Sequence, residues 1–292
     1  MKRRIGVIGG SGVYSINSVE NIARLDIDTP WGAPSGPITT GAIGGVEVAF
    51  LARHGEGHRL SPDDVNYRAN IDAMKRAGVS DLISISACGS FREDLAPGMF
   101  VIVDQFIDRT SGRETSFFGK GCVAHVSMAE PVCRALGDAI EASLRSLSIP
   151  HHRGGTYICI NGPQFSTRAE SRLYRSWGAD VIGMTNMPEA KLAREAELPY
   201  ASVAMVTDYD CWREGKVGVE VADILEVMSR NSQAARRLLL DLAPRLGPTR
   251  SPSPLGVERT LDAAIITPPD ARDPEILAKL DAVAGRALSR PN

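Results

Sequence analysis

The residues best suited to chemistry sit where short apolar runs stop. The run over 5–8 passes into Gly9-Gly10-Ser11-Gly12, where glycines let backbone N–H groups approach a phosphate unobstructed. The same turn approaches a dinucleotide-binding spacing, but counting G-x-G-x-x-G from Gly10 reaches Ser15 instead of a third glycine. Asp26 and Asp28 stand near the place of a ribose-binding acid, so a nicotinamide-dependent dehydrogenase stays open. The run over 46–52 ends in Arg53-His54-Gly55. Arg offers a planar fork of donors to phosphate oxygens, and His adds a donor or a proton relay. The run over 81–87 ends in Ser86-Ala87-Cys88-Gly89-Ser90, small residues that let a ligand lie against the backbone. Taken singly, each segment also reads as an ordinary strand end.

Three later segments add to these. Asn161-Gly162-Pro163-Gln164-Phe165-Ser166 precedes a helix start, and Gly183-Met184-Thr185-Asn186-Met187-Pro188-Glu189 falls at a strand-to-helix junction. The run over 201–206 ends in Thr207-Asp208-Tyr209-Asp210-Cys211-Trp212, with two carboxylates beyond a buried strand. Like charges placed there raise one pKa unless water or a ligand relieves them. Only Glu214 follows closely and no His stands nearby in sequence, so a metal fits less well than a heteroaromatic ring.

These segments need a scaffold, and the alternation of β-branched runs with amphipathic stretches predicts an α/β fold. Strands are expected over 5–8, 46–52, 81–87, 99–103, 156–160, 180–184 and 201–206. Helices are expected over 65–77, 130–145, 168–177, 188–196, 219–242 and 274–288. Val221, Ile224, Leu225 and Met228 give the 219–242 helix an apolar stripe at i, i+3, i+4 and i+7. The composition turns to Gly, Pro, Ser and Thr over 246–255, a linker before a short strand candidate at 263–266 and the last helix. One domain over 1–245 is expected, with 246–292 an arm packed on it or on a neighbouring subunit.

With 292 residues, 33 Lys plus Arg and 35 Asp plus Glu, the net charge is −2, which offers nucleic acid no basic patch. No apolar run reaches about 18 residues, and the N-terminus lacks the h-region of a signal peptide. Five scattered cysteines without a C-x-x-C pair read as free thiols, not zinc ligands. A soluble cytoplasmic protein is expected.

The motifs IGGSG, RHG, VNYRAN, SACGS, DQFIDRT, HVSMAEP, GPQFS, RAES, WGADVIGMT, PEAKLAREA and TDYDCW follow one another in a single order. In that order the chain resembles the trimeric purine nucleoside phosphorylase superfamily, and within it the branch acting on 5′-methylthioadenosine. The resemblance implies one domain with a mixed, partly barrel-like sheet flanked by helices. It implies a phosphate site of Ser11, Arg53, His54, Ser86, Ala87 and Thr185. Phe165, Ser166 and Met184 fall at the base and ribose, while Asp208 and Asp210 hold purine N7 and the 6-amino group. Val221 and Ile224 form part of the pocket for the 5′-methylthio group, and His125 reaches it from an adjacent subunit of a homotrimer. Inorganic phosphate is the co-substrate, and neither metal nor organic cofactor is implied. The products are adenine and 5-methylthioribose 1-phosphate, which feed methionine and purine salvage. Asn161, Gln164 and Gly183 depart from that branch, where Glu, Arg and Asn are usual. A 6-oxopurine or 5′-methylthioinosine preference therefore stays open, as does a non-catalytic nucleoside-binding protein.

Overall fold

Alternation with period two organises the chain into a sheet with two apolar faces. The computed structural model describes residues 1–10, 19–213 and 221–289, and the side chains of all of these except 221–223. Ser11 lies outside the described residues, and so does the side chain of Val221. Among the described residues the chain runs β1 (Arg4–Gly9), β2 (Glu20–Leu25), β3 (Ile38–Ile43), β4 (Val46–Ala52), α1 (Tyr67–Arg76), β5 (Asp81–Ser90) and β6 (Phe100–Val103). It continues through β7 (Gln105–Asp108), α2 (Arg134–Ser146), β8 (His151–Arg153), β9 (Thr156–Cys159), α3 (Arg168–Ser176), β10 (Val181–Gly183) and α4 (Asn186–Glu195). The last elements are β11 (Tyr200–Asp208), α5 (Val221–Leu246), α6 (Pro274–Lys279) and α7 (Asp281–Leu288).

The strands form one mixed sheet in the order β2-β3-β4-β1-β5-β10-β9-β7, with β11 joining β5 to β6 and β8 on the far side of β6. Side chains of successive residues point to opposite faces. Ala49, Leu51, Leu82, Ala204 and Val206 therefore face one core, packed with Ile71 and Met74 of α1 and Leu192 of α4. Val48, Phe50, Ile83, Val203 and Met205 face the other, covered by Leu136, Ile140 and Leu144 of α2 and Leu238, Leu239 and Leu242 of α5. Burial on both faces explains why these strands read as near-continuous apolar runs.

Four strands are not legible in that way. β2 is almost wholly exposed and β8 reads His-His-Arg, so neither carries an apolar run. β3 is buried only at its two ends and β7 nowhere, and β3 turns into β4 through Gly44-Gly45, both at positive φ, the geometry a tight hairpin needs. Two expectations are corrected. Residues 263–266 do not form a strand: Ile265 makes an isolated bridge to Ala124, because the segment lies alone against a loop. The expected helix over 274–288 is two helices that break at Leu280, a fully buried residue serving as C-cap of α6 and N-cap of α7.

The arm beyond α5 lies on the main body of this chain. Leu280, Val283 and Ala284 enter the first core, and Arg286 pairs with the buried Glu197. Backbone N–H groups of His125 and Ile266 donate to Ala264 and Val123, tying the arm to the loop that carries His125.

Candidate active site

The sheet divides along one edge of β5. β1 runs parallel to it from Asp81 to Ile85, and β10 pairs with it antiparallel only at Gly89 and Ser90. Neither neighbour pairs with Ser86, Ala87 or Cys88. Such a change of neighbour opens a crevice at the carboxyl ends of the strands, the usual place for a ligand in open α/β sheets. A cavity of about 490 Å³ occupies it, within the range of small-molecule sites. Gly10, Arg53, His54, Ser86, Ala87, Phe165, Ser166, Met184, Thr185, Asp208, Asp210 and Ile224 all line this one cavity.

Arg53, at the end of β4, closes the inner wall of the split. Its Nη2 and Nη1 donate to the carbonyls of Ile8 and Ile85, near the end of the β1–β5 pairing. Its Nε lies 2.7 Å from Glu189 of α4, Nη2 lies 3.0 Å from the other carboxylate oxygen, and both side chains are 1% exposed. Ser84 Oγ accepts a further bond from Nη2. The fork that the sequence directs at an anion is thus spread over a carboxylate and the sheet. Tyr200 donates its hydroxyl to the same Glu189, and Asn186 links Tyr200 and Ser202 to Ser86. Asn186 and Glu189 belong to the strand-to-helix segment over 183–189, whereas nothing in the sequence marks Tyr200 as part of the site.

At the other end, β11 slips register against β5 between Val206 and Asp208, and such an irregularity re-aims a side chain. A Cβ on Gly89 would meet Asp208 Oδ1 at 2.9 Å, so only glycine lets this carboxylate lie against β5. Asp208 accepts from Thr207 Oγ1 at 2.7 Å and from the Asp210 backbone N–H at 2.8 Å. Burial pushes its carboxyl above the usual range. Burial also lifts Asp210 from 3.8 to about 6, with the nearby Asp208 charge adding to the rise and the Ser171 hydroxyl opposing it. Asp210 sits at φ +48°, a left-handed conformation that Asp tolerates. Thr185 Oγ1 and Ser166 Oγ are buried without a hydrogen-bond partner among the described residues, a cost that a polar ligand relieves.

The apolar wall comes from α5, whose Ile224, Leu225 and Met228 face the cavity while its later turns enter the core. The half-exposed Phe165 stands at the opening. Gly183 has a steric reason: a Cβ there would meet the Tyr157 hydroxyl at 1.8 Å, so the phenol takes the space of any side chain. His125 is exposed and does not line the cavity of its own chain. Sequence reasoning misses His58, Thr207 and Ser232, which do line it. No cluster of three or more His, Cys, Asp or Glu poised for a metal occurs among the described residues. The dinucleotide reading of the first turn is corrected by topology. The neighbours of β1 are β4 and β5, whereas β2, the next described strand after the glycines, pairs antiparallel with β3.

A crevice at a split mixed sheet, with carboxylates at one end and small anion-sized side chains at the other, matches a known class. The chain belongs to the phosphorylase superfamily, which it matches over residues 4–244. It is similar to the S-methyl-5′-thioadenosine phosphorylase of Cereibacter sphaeroides, with 59% identity over 288 residues and 99% of each chain covered. A methylthioadenosine phosphorylase sourced from an Antarctic soil metagenomic library has a similar structure. The TM-score is 0.91 at 44% identity, covering 97% of this chain and 99% of that one. The methylthioadenosine phosphorylase of Schistosoma mansoni in complex with adenine has a TM-score of 0.82 at 35% identity, covering 97% and 98%.

A raised carboxyl pKa means that the folded protein holds the Asp210 proton more tightly than the unfolded chain. Its stabilising contribution is full below pH 3.8 and is lost as the pH rises through about 6. The ligand-free protein is therefore expected to lose up to roughly 3 kcal/mol across that window from this group. Asp210→Asn should remove this step from denaturation midpoints measured against pH. An unchanged step in the variant assigns the proton elsewhere.

Proposed function

We propose that this chain is a cytoplasmic enzyme that splits S-methyl-5′-thioadenosine with inorganic phosphate, giving adenine and 5-methylthioribose 1-phosphate. The observation that carries the reading is the convergence of Asp208 and Asp210 with Ser86, Ala87 and Thr185 on one cavity at the split of β5. The names of the relatives support the same chemistry. Departure of the base from C1′ builds positive charge on the ribose and negative charge on the purine. Phosphate at the Ser86–Thr185 end stabilises the positive charge that grows as the C1′–N9 bond breaks, and its oxygen forms the C1′–O bond while the bonding pair leaves with the base. Asp208, carrying a proton delivered with the bound substrate, donates to N7, so the base leaves neutral. Asp210 accepts from the 6-amino group. Ile224, Leu225 and Met228 suit a methylthio group better than a hydroxyl. No cofactor enters these steps.

The oligomer belongs to the same proposal. His125 stands exposed on a loop pinned by the arm, which suits donation to a neighbour's site in a homotrimer. A fully active monomer in sedimentation would remove that part.

An ionised carboxylate only accepts hydrogen bonds, so Asp210 favours a 6-amino purine over a 6-oxo one. Gly183 contributes no amide to oppose or assist that choice. Release of adenine from S-methyl-5′-thioadenosine is expected only when phosphate is present, and 5′-methylthioinosine should react far more slowly. Asp208→Asn should cut turnover at least about a hundredfold, as loss of a general acid does. Equal rates on the two nucleosides in the unaltered protein would contradict the 6-amino assignment. Adenine release independent of phosphate would contradict phosphorolysis.

A further inference from the structure

A second buried arginine stands outside the cavity lining, and no step of the reaction accounts for it. Arg113 lies on the segment that follows β7, and its side chain is 3% exposed. Its Nη1 donates to the carbonyls of Met184 and Met187, each at 2.7 Å, and its Nη2 donates to the Asn161 carbonyl at 3.0 Å. Its Nε donates to Asp63 at 2.8 Å, and Nη2 lies 2.7 Å from the same carboxylate oxygen. The Tyr67 ring of α1 covers the fork, its centroid 5.2 Å from the guanidinium carbon. A guanidinium taken this far out of water is costly unless its donors are matched, and three separate chain segments supply the acceptors.

Each of those segments brings a residue to the cavity. Pro62 stands beside Asp63, Phe165 and Ser166 follow Asn161, and Met184 is itself bonded to the fork; all four line the cavity. The Met184 side chain is held as well, because Gly162 sits at φ +72° and a Cβ on it would collide with the Met184 sulfur. Asn161 completes the clamp. Its Oδ1 accepts from the Ser111 backbone N–H at 3.0 Å, and its Nδ2 donates to Asp63 and to the Ser111 carbonyl, both at 2.9 Å. An amide donates to Asp63 where a carboxylate at this position could not. The anion half of the cavity has its own buried anchor, the Arg53–Glu189 pair.

We propose that Arg113 is a positioning residue for the nucleoside. Its fork, steadied by Asp63 and Asn161, sets Met184 and the 161–166 segment at the spacing that the sugar and base require, and it touches no substrate itself. This rests on the reading of the cavity as the nucleoside site of a phosphorolysis. Because the anion half is anchored separately, loss of the fork weakens capture of the nucleoside and leaves capture of phosphate alone.

The test is Arg113→Lys, which keeps the charge but offers its donors from one point and cannot span the three segments. The Michaelis constants for S-methyl-5′-thioadenosine and for phosphate are measured separately. The nucleoside constant is expected to rise about tenfold or more, the loss of hydrogen bonds to a charged group, with the phosphate constant within about twofold. An unchanged nucleoside constant overturns the inference. So does an equal rise in both constants, which would mark a general loosening of the fold. If Arg113→Lys does not fold, Asn161→Ala carries the test, because it removes the side chain that steadies the fork. Its nucleoside constant is then expected to rise about threefold with the phosphate constant unchanged, and no rise overturns the inference. The unaltered protein run without phosphate separates the two readings. If it still releases adenine, phosphorolysis itself fails. If it needs phosphate and the variant's constants match the parent's, only the role of Arg113 fails.

Discussion

A buried ion pair between Arg53 and Glu189 holds open the place where the sheet divides. Where β1 ends and β10 has not begun, the Arg53 guanidinium bonds to the carbonyls of Ile8 and Ile85. A buried guanidinium needs a counter-charge, and Glu189 at the start of α4 supplies it. Removing one partner of such a pair typically costs about 3–5 kcal/mol, because the other is left charged and dry. The carboxylate thus ties the start of α4, and with it Thr185 and Asn186, to the ends of β1, β4 and β5. Tyr200 and Asn186 extend the tie to Ser86. The inner wall at the anion end is held in place because Arg53, Glu189, Asn186 and Tyr200 already satisfy one another.

The base end depends on a different constraint, close approach. Gly89 leaves room for the Asp208 carboxylate against β5, and the irregular register of β11 turns that carboxylate toward the cavity. Burial then raises both acids, Asp210 to about 6, so both exchange a proton more readily near neutrality than a free carboxylate does. Between the two ends, the first turns of α5 leave the core and lend their apolar stripe to the cavity. One helix therefore serves packing and recognition along different lengths.

Much of this is legible in the sequence because buried strands announce themselves and ligand groups cluster at their carboxyl ends. The apolar run over 46–52 coincides with β4 to the residue, and Arg53, Ser86 and Asp208 stand out because each lies at the carboxyl end of such a run. The contacts those residues make are not legible. The Arg53 segment does not show that Glu189, distant in sequence, pairs with it. Gly183 reads as a missing amide until Tyr157, from the neighbouring strand, fills its space. β2 and β8 escape because exposed or polar strands lack a pattern, and 263–266 misleads because an apolar run can lie along a loop with only Ala264 buried. His58 escapes because a lone His beside glycines resembles a turn, and its stacking on His54 exists only in three dimensions.

The central claim is that the split of the sheet is a phosphate and nucleoside site whose inner wall is the Arg53–Glu189 pair. A crystal structure of the protein with phosphate and an unreactive analogue of S-methyl-5′-thioadenosine tests it most directly. The expected result is phosphate within hydrogen-bond distance of Ser86 and Thr185, the purine edge on Asp208 and Asp210, and Arg53 still paired to Glu189. Phosphate bound elsewhere, or Arg53 swung away from Glu189 to clasp it, would contradict the account.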